Sequence, residues 1–388
     1  MIKTIRVMLL PNNKQKSKLF LYANTSRYVY NWAIEREQVN YKDGNKFISD
    51  YDLRKEFTQL KKLEKYSWLN NVSNDVMKQS IKDACDAYKK FFKHQTNYPK
   101  FKSRKFSAPS FYQDNVKIRF TETHVKIEGI AGSRKKNRQK LNWIKLAEHN
   151  HIPANCKYRN PRIKFDGLNW YITVGVDYDD CANEPKNDGI GIDLGIKDLA
   201  ICSDGNIYKN INKSKKIKNL EKKKRRLQRS FSRKIKKSKR KESYREPSNL
   251  RKTKKKFLKV SRRLTNIRHN CLHQITSSIV KREPSFICIE DLNVSGMMKN
   301  RHLSKAVQRQ CFYEFRRQIE YKASWNNIKV VIADRFYPSS KLCYCCGNVE
   351  KDLKLSDRIY KCECCGNVID RDYQASLNLK RYGENFVK

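Results

Sequence analysis

The first ten residues, MIKTIRVMLL, alternate between apolar and polar positions as a half-buried strand does. From about Asn13 to His94 the spacing changes to three and four, as in Leu53, Phe57, Leu60 and Leu63 and again in Ile81, Cys85, Tyr88, Phe91 and Phe92. That period predicts helices, and the segment reads as a helical insert over 11–95. Past Tyr98 and Pro99, short alternating segments follow one another: VKIRF, HVKIEGI, WIKLAE, RIKFDG and WYITVGVDY, parted by Gly, Asn and Asp turns. They predict an antiparallel β-barrel or sandwich built from 1–10 and 96–183. A polar stretch, Asn183 to Asp188, leads into the apolar strand that carries Asp193. Ser203-Asp204-Gly205-Asn206 then marks a hairpin turn.

Between Lys213 and Arg263 most positions are Lys or Arg, while Ile217, Leu220, Leu227, Phe231, Ile235, Phe257 and Leu258 recur at wide intervals. Pro247-Ser248-Asn249 interrupts the run. The pattern predicts a basic helical hairpin over 213–264 with a thin apolar seam, the alternative being a solvated basic arm. After it come an apolar strand ending at Glu290, a helix from about Ala306 to Trp325, a strand KVVIA at 329–333 and a last helix beginning near Asp372.

Charge sharpens this outline. With 86 Lys and Arg against 39 Asp and Glu, the formal charge is +47 over 388 residues, and a field of that sign attracts nucleic acid. Hydrophobic residues make up 38% and aromatics 11%, enough for a folded core. No run approaches the roughly 18–20 apolar residues of a membrane span, and the opening residues are too interrupted for a signal peptide, so the cytosol is expected.

Three acids then stand out. Asp193 and Glu290 close short apolar runs, at the strand ends where open α/β sheets build their sites, and Asp372 lies at the start of the last helix. Hard oxygen ligands at such places suggest Mg²⁺ and phosphate chemistry, with two ions activating a water and stabilising the leaving oxygen. Asp198, Asp291 and Asp334 read as capping or supporting acids. His269 and His273, one turn apart, read as a polar helix face. Of 13 cysteines, seven are scattered and six lie in CYCCG and CECCG. Cys343, Cys346, Cys362 and Cys365 form two CxxCG pairs able to close a tetrahedron around one structural Zn²⁺, the glycines permitting the tight turns. Cys345 and Cys364 are left over.

GIDLGIKDLA, IEDLNV, FYPSSKLC-x-x-CG, the second CxxCG and DRDYQASLNL together resemble the RuvC-type half of the TnpB family, transposon-encoded RNA-guided nucleases related to the type V CRISPR effectors. The resemblance covers roughly 186–388 and continues more weakly through the N-terminal half. It implies a multidomain α/β and α+β protein. The parts would be a wedge-like barrel (1–10 and 96–183) holding a recognition insert (11–95), and a RuvC/RNase H-like nuclease domain (186–342 and 366–388) interrupted by a zinc ribbon (343–365). It makes Asp193, Glu290 and Asp372 the catalytic acids. Asp372 is preferred to Asp370 because the family pattern counts Ala375 and Asn378 from the second acid; Gln374 and Ser376 depart from that pattern. It implies a guide RNA from the transposon end, a double-stranded DNA target and a short adjacent DNA motif. Asn74, Lys78, Gln79 and Gln113 are candidates for reading that motif, since amides pair with adenine edges. Lys222, Lys223, Lys224, Arg225, Arg226 and Arg229 are candidates for backbone contact, and Arg27, Tyr28 and Asn31 for RNA contact or packing. The rival functions are an RNA-guided repressor that does not cut and a protein-only RuvC-type nuclease or recombinase.

Overall fold

The opening alternation becomes strand β1 (Ile2–Leu10) in the computed structural model of the protein, with Val7 and Leu9 buried. Residues 2–129, 142–178, 185–239, 247–353 and 357–387 are described. Residues 183 and 184 of the expected linker and 240–246 of the expected hairpin lie outside them. The chain divides into two units, Met1–Asp179 and Asp180–Lys388.

In the first unit, helix α1 (Asn13–Lys42) starts at a reciprocal cap. The Gln15 N–H donates to Asn12 Oδ1 and the Asn12 N–H donates to Gln15 Oε1, each at 2.9 Å. Ser49 caps α2 (Asp50–Leu60) and Ser73 caps α3 (Asn74–Phe92). Val29, Ile34, Leu53, Phe57, Leu69, Ile81 and Tyr88 close a core among these helices. The remaining strands are β2 (Ser110–Tyr112), β3 (Arg119–Phe120), β4 (His124–Lys126), β5 (Trp143–Leu146), β6 (Tyr158–Phe165) and β7 (Trp170–Asp177). They pair with β1 in the order β2-β6-β7-β1-β5-β4-β3. This corrects the barrel: the sheet is open. Its edge strands, β2 and β3, have three and two residues, and among the described residues they do not pair with each other, so no ladder closes the ring.

The second unit is built on β8 (Ile190–Leu194), β9 (Asp198–Cys202), β10 (Ile207–Lys209), β11 (Phe286–Glu290) and β12 (Lys329–Ala333), in the order β10-β9-β8-β11-β12. β8, β11 and β12 are parallel, and β9 and β10 run back as a meander. Gly205 makes the tight turn at φ 83°. The basic segment forms α4 (Lys215–Lys239) and α5 (Ser248–Val280), joined along Ile217, Leu220, Leu227, Val260 and Leu264. Helix α5 runs well past the expected end at 264, because Leu272, Ile275 and Ile279 carry its apolar stripe into the core of the sheet.

Three more helices follow: α6 (Val294–Lys299), α7 (Ser304–Gln310) and α8 (Phe312–Trp325). The single helix expected over 306–325 is thus broken at Cys311, whose φ is 58°. The buried Gln310 explains the break, since its Nε2 donates to the Gly195 carbonyl at 2.8 Å and fixes the chain there. A two-stranded ribbon, β13 (Ile359–Lys361) with β14 (Val368–Asp370), precedes the last helix, α9 (Arg371–Glu384). Among the described residues no helix is long and apolar enough to cross a membrane.

Candidate active site and metal centre

Strand register brings the first two acids together. Ile192 pairs with Ile289 in the parallel ladder, so Asp193 and Glu290 follow side by side, in the same phase of the pleat, on strands about 4.8 Å apart. Gly191 lies two residues before Asp193 and shares its face. A Cβ at Gly191 would stand 2.1 Å from the Ser376 carbonyl oxygen and 2.3 Å from the Lys380 nitrogen, so α9 crosses that face in direct backbone contact. One turn back along α9 is Asp372. The helix begins there because Asp370 Oδ1 accepts the Asp372 and Tyr373 N–H groups, both at 3.0 Å, which occupies Asp370 as a cap.

Proximity shows in the proton affinities. Burial first, then the charges of Glu290 and Asp372, push the Asp193 carboxyl well above the usual range. Burial, followed by the opposing Leu194 N–H and then the Asp372 charge, pushes Glu290 up to about 7. Asp372 is met at 3.2 Å by Arg371 and at 3.4 Å by Arg358, two cations that sequence reasoning missed because no local pattern marks them. Gly191 had a signal: a glycine within a buried strand marks a close backbone approach.

Among the described residues, one set of three or more Cys, His, Asp or Glu has converging ligand atoms: Cys343, Cys346, Cys362 and Cys365, all within 4.8 Å of one another. Cys345 and Cys364 are exposed outside it. Gly347 and Gly366 take φ of 78° and 72° behind the two pairs, a conformation open to glycine. Four sulfurs at this spacing match a structural zinc donor set. The cluster is tied to α9: Asn378 Nδ2 donates to the Ser339 and Leu342 carbonyls at 2.8 and 2.6 Å, and Asn367 Nδ2 donates to Gln374 Oε1 at 3.3 Å. Gln374 and Ser376 are both buried, and the Ser376 hydroxyl donates to the Tyr373 carbonyl at 2.6 Å.

The other candidates are dispersed. Asn74 and Lys78 are exposed on α3, and Gln79 Nε2 donates to Asp83 Oδ1 at 2.9 Å, beside a cleft it lines with Lys82, Asn115 and Arg162. Gln113 is a correction: it is 2% exposed and its N–H donates to the Pro161 carbonyl, so it presents no edge to DNA. Asn31 bonds the Lys102 backbone in both directions, at 2.9 and 2.8 Å, and Tyr28 packs edge-on against Trp68, so both are engaged in packing. Arg27 is half-buried in a cavity wall with Arg104. Lys222, Lys223, Arg225, Arg226 and Arg229 are exposed along α4 and Lys224 is half-buried; at their base Glu221 accepts from Arg268 and Arg309. Among the described residues, His269 and His273 join no ligand set.

Comparison with known proteins gives three family models. One described as "Probable transposase" matches residues 172–301, "Cas12f1-like, TNB domain" matches 312–379, and "Helix-turn-helix domain" matches 1–46, which here folds as a strand and one long helix. "Putative RNA-guided DNA endonuclease InsQ" of Escherichia coli (strain K12) is 27% identical, over 98% of this chain and 92% of its own. A like-named protein of Streptomyces pristinaespiralis is also 27% identical, over 98% and 89%. The structure of a Cas12f1-sgRNA-target DNA complex shares the fold, with a TM-score of 0.59 at 13% identity over 98% of both chains. The resemblance to TnpB and the related type V effectors is thus supported by a transposase family model, by relatives named RNA-guided DNA endonuclease along nearly the whole chain, and by a shared fold.

Proposed function

We propose that the protein is an RNA-guided DNA endonuclease of a transposable element, cutting DNA phosphodiesters at a RuvC-like site next to a short DNA motif. One observation carries the chemistry: Asp193 and Glu290 stand side by side on adjacent parallel strands, and the helix that carries Asp372 crosses the same face in backbone contact at Gly191. Relatives along 98% of the chain, which bear the name RNA-guided DNA endonuclease, and a charge of +47 support nucleic acid as the partner.

Asp193, Glu290 and Asp372 would hold two Mg²⁺ ions, which when bound supply a nucleophilic water and neutralise charge on the leaving 3′ oxygen. The donor set fits in kind, being carboxylate oxygens, the hard ligands that Mg²⁺ takes. Asp193 and Glu290, set on adjacent rigid strands, keep the spacing, and Asp372 depends on the seating of α9. Cys343, Cys346, Cys362 and Cys365 would hold one Zn²⁺ with no open position, a structural role. In this reading residues 1–10 and 96–183 act as the wedge around a recognition insert at 11–95. Residues 186–342 and 366–388 form the nuclease domain, with 343–365 its zinc ribbon. Lys222 to Arg229 track the backbone of the guide RNA, transcribed from the transposon end, or of its duplex with DNA. Asn74, Lys78 and Gln79 face the motif of a double-stranded target.

The test is reprogramming. Protein purified with its own RNA, then with an RNA whose guide segment is replaced, should cut the DNA that matches each guide, in Mg²⁺ and not in EDTA. Cutting that ignores the guide points to a protein-only nuclease, and guided binding without cutting points to a repressor.

A further inference from the structure

Beside the acids lies a cavity of about 260 Å³ whose wall includes Glu290, Asp291, Phe312, Tyr313, Arg316 and Arg335. Three segments build it: the loop after β11, the start of α8 and the loop after β12. Asp291 holds two guanidinium groups there. Arg316 Nη1 donates to Oδ1 at 3.0 Å, and Arg335 Nη2 donates to Oδ2. Arg316 is occupied at its other side, since its Nε donates to Glu320 at 2.8 Å. Arg335 bonds to Asp291 alone among the described residues and is 49% exposed, so one arm is anchored while the rest of the fork faces out. A planar fork held in this way is oriented before an oxyanion arrives.

The aromatic side of the cavity has its own cause. The left-handed Cys311 restarts the helix, so that Phe312 is buried while the next residue, Tyr313, stands 73% exposed on the cavity rim. Among the described residues no other ring packs on it. A flat π-face beside an oriented guanidinium asks for a ligand that is both aromatic and anionic. The volume lies near the roughly 300 Å³ lower end of small-ligand pockets, too small for a duplex. A base already stacked in a duplex, moreover, has no face to offer Tyr313.

We infer that this cavity seats one unpaired nucleotide of the DNA strand being cut, its base on Tyr313 and its phosphate on Arg335. The inference rests on the endonuclease reading, and assigns the two side chains that hold the strand there. Because Glu290 is part of the same wall, a nucleotide held there lies next to the acids. Stacking accepts every base, so the seat adds hold without adding sequence preference, as a site whose target is chosen elsewhere requires.

Two readouts test it, both on the full chain with its RNA. Asp193→Ala protein is irradiated with single-stranded DNA carrying 5-iodouracil, and the adduct is mapped by mass spectrometry. An adduct on Tyr313 is expected, and adducts elsewhere only would overturn the seat. In cleavage of a short single-stranded DNA, Tyr313→Ala and Arg335→Gln should each raise KM about tenfold with kcat within about twofold, while Tyr313→Phe, which keeps the face, behaves as wild type. Unchanged KM in Tyr313→Ala overturns the proposal. A clamp that merely ties the three segments together predicts lowered melting temperature with unchanged KM. Wild-type protein that cuts no DNA would sink the endonuclease reading, and the cross-link would still decide the seat.

Discussion

Gly191 is the residue on which the meeting of the acids turns. The atoms a Cβ would strike are backbone atoms of α9, which cannot rotate away. Gly191→Ala should therefore cost about 1–3 kcal/mol, as overpacking does, and lift Asp372 from Asp193. Thermal unfolding and DNA cleavage check it together, and a variant that melts and cuts like wild type would show that the helix does not need the contact. Glu37 offers a test in pH. It is 4% exposed, its Oε1 has no partner among the described residues, and burial pushes its carboxyl from 4.5 up to about 7. Between those values the folded chain holds a proton that the unfolded chain has lost, so stability falls as pH rises through the window. At about 1.4 kcal/mol per pH unit the loss is on the order of 3 kcal/mol. Urea unfolding at pH 5 and pH 7.5 should show wild type losing more stability than Glu37→Gln; equal losses would contradict the assignment.

At the scale of elements, the cysteine module and α9 act as one. Asn378 anchors the helix to the carbonyls of Ser339 and Leu342, just before Cys343, and Asp370 is both the end of β14 and the cap of α9. Replacing Cys343 and Cys365 together by Ser should release the metal and loosen the last helix, cutting activity through Asp372 while the first unit keeps its melting transition. Elemental analysis finding no zinc in the wild type, or full activity in the double variant, would contradict this. These elements were legible in very different degrees. β8, β11 and the cysteine pairs follow from local rules, a short apolar run or a fixed spacing. The openness of the seven-stranded sheet was not legible, because alternation fixes strands and leaves closure to edge length and pairing. The break at Cys311 depends on Gln310 reaching Gly195, a contact between distant parts of the chain. Gln113 failed for a related reason: an amide in a polar segment carries no mark of the tertiary packing that buries it.

Across the whole molecule, the charge of +47 and the three acids oppose each other. A polyanion is drawn to the chain at large, and within the second unit Arg316, Arg335, Arg358 and Arg371 reach Asp291 or Asp372. Attraction and chemistry are thus assigned to separate groups, and they should separate by mutation. The most direct measurement is cleavage and RNA retention in parallel for Asp193→Ala and Glu290→Gln, purified with their RNA and given matched DNA in Mg²⁺. Both variants are expected to keep the RNA and bind the DNA as wild type does while cleavage disappears. Cleavage near the wild-type rate in either variant would contradict the account, because the phosphodiester would then be broken without the acids to which the chemistry is assigned.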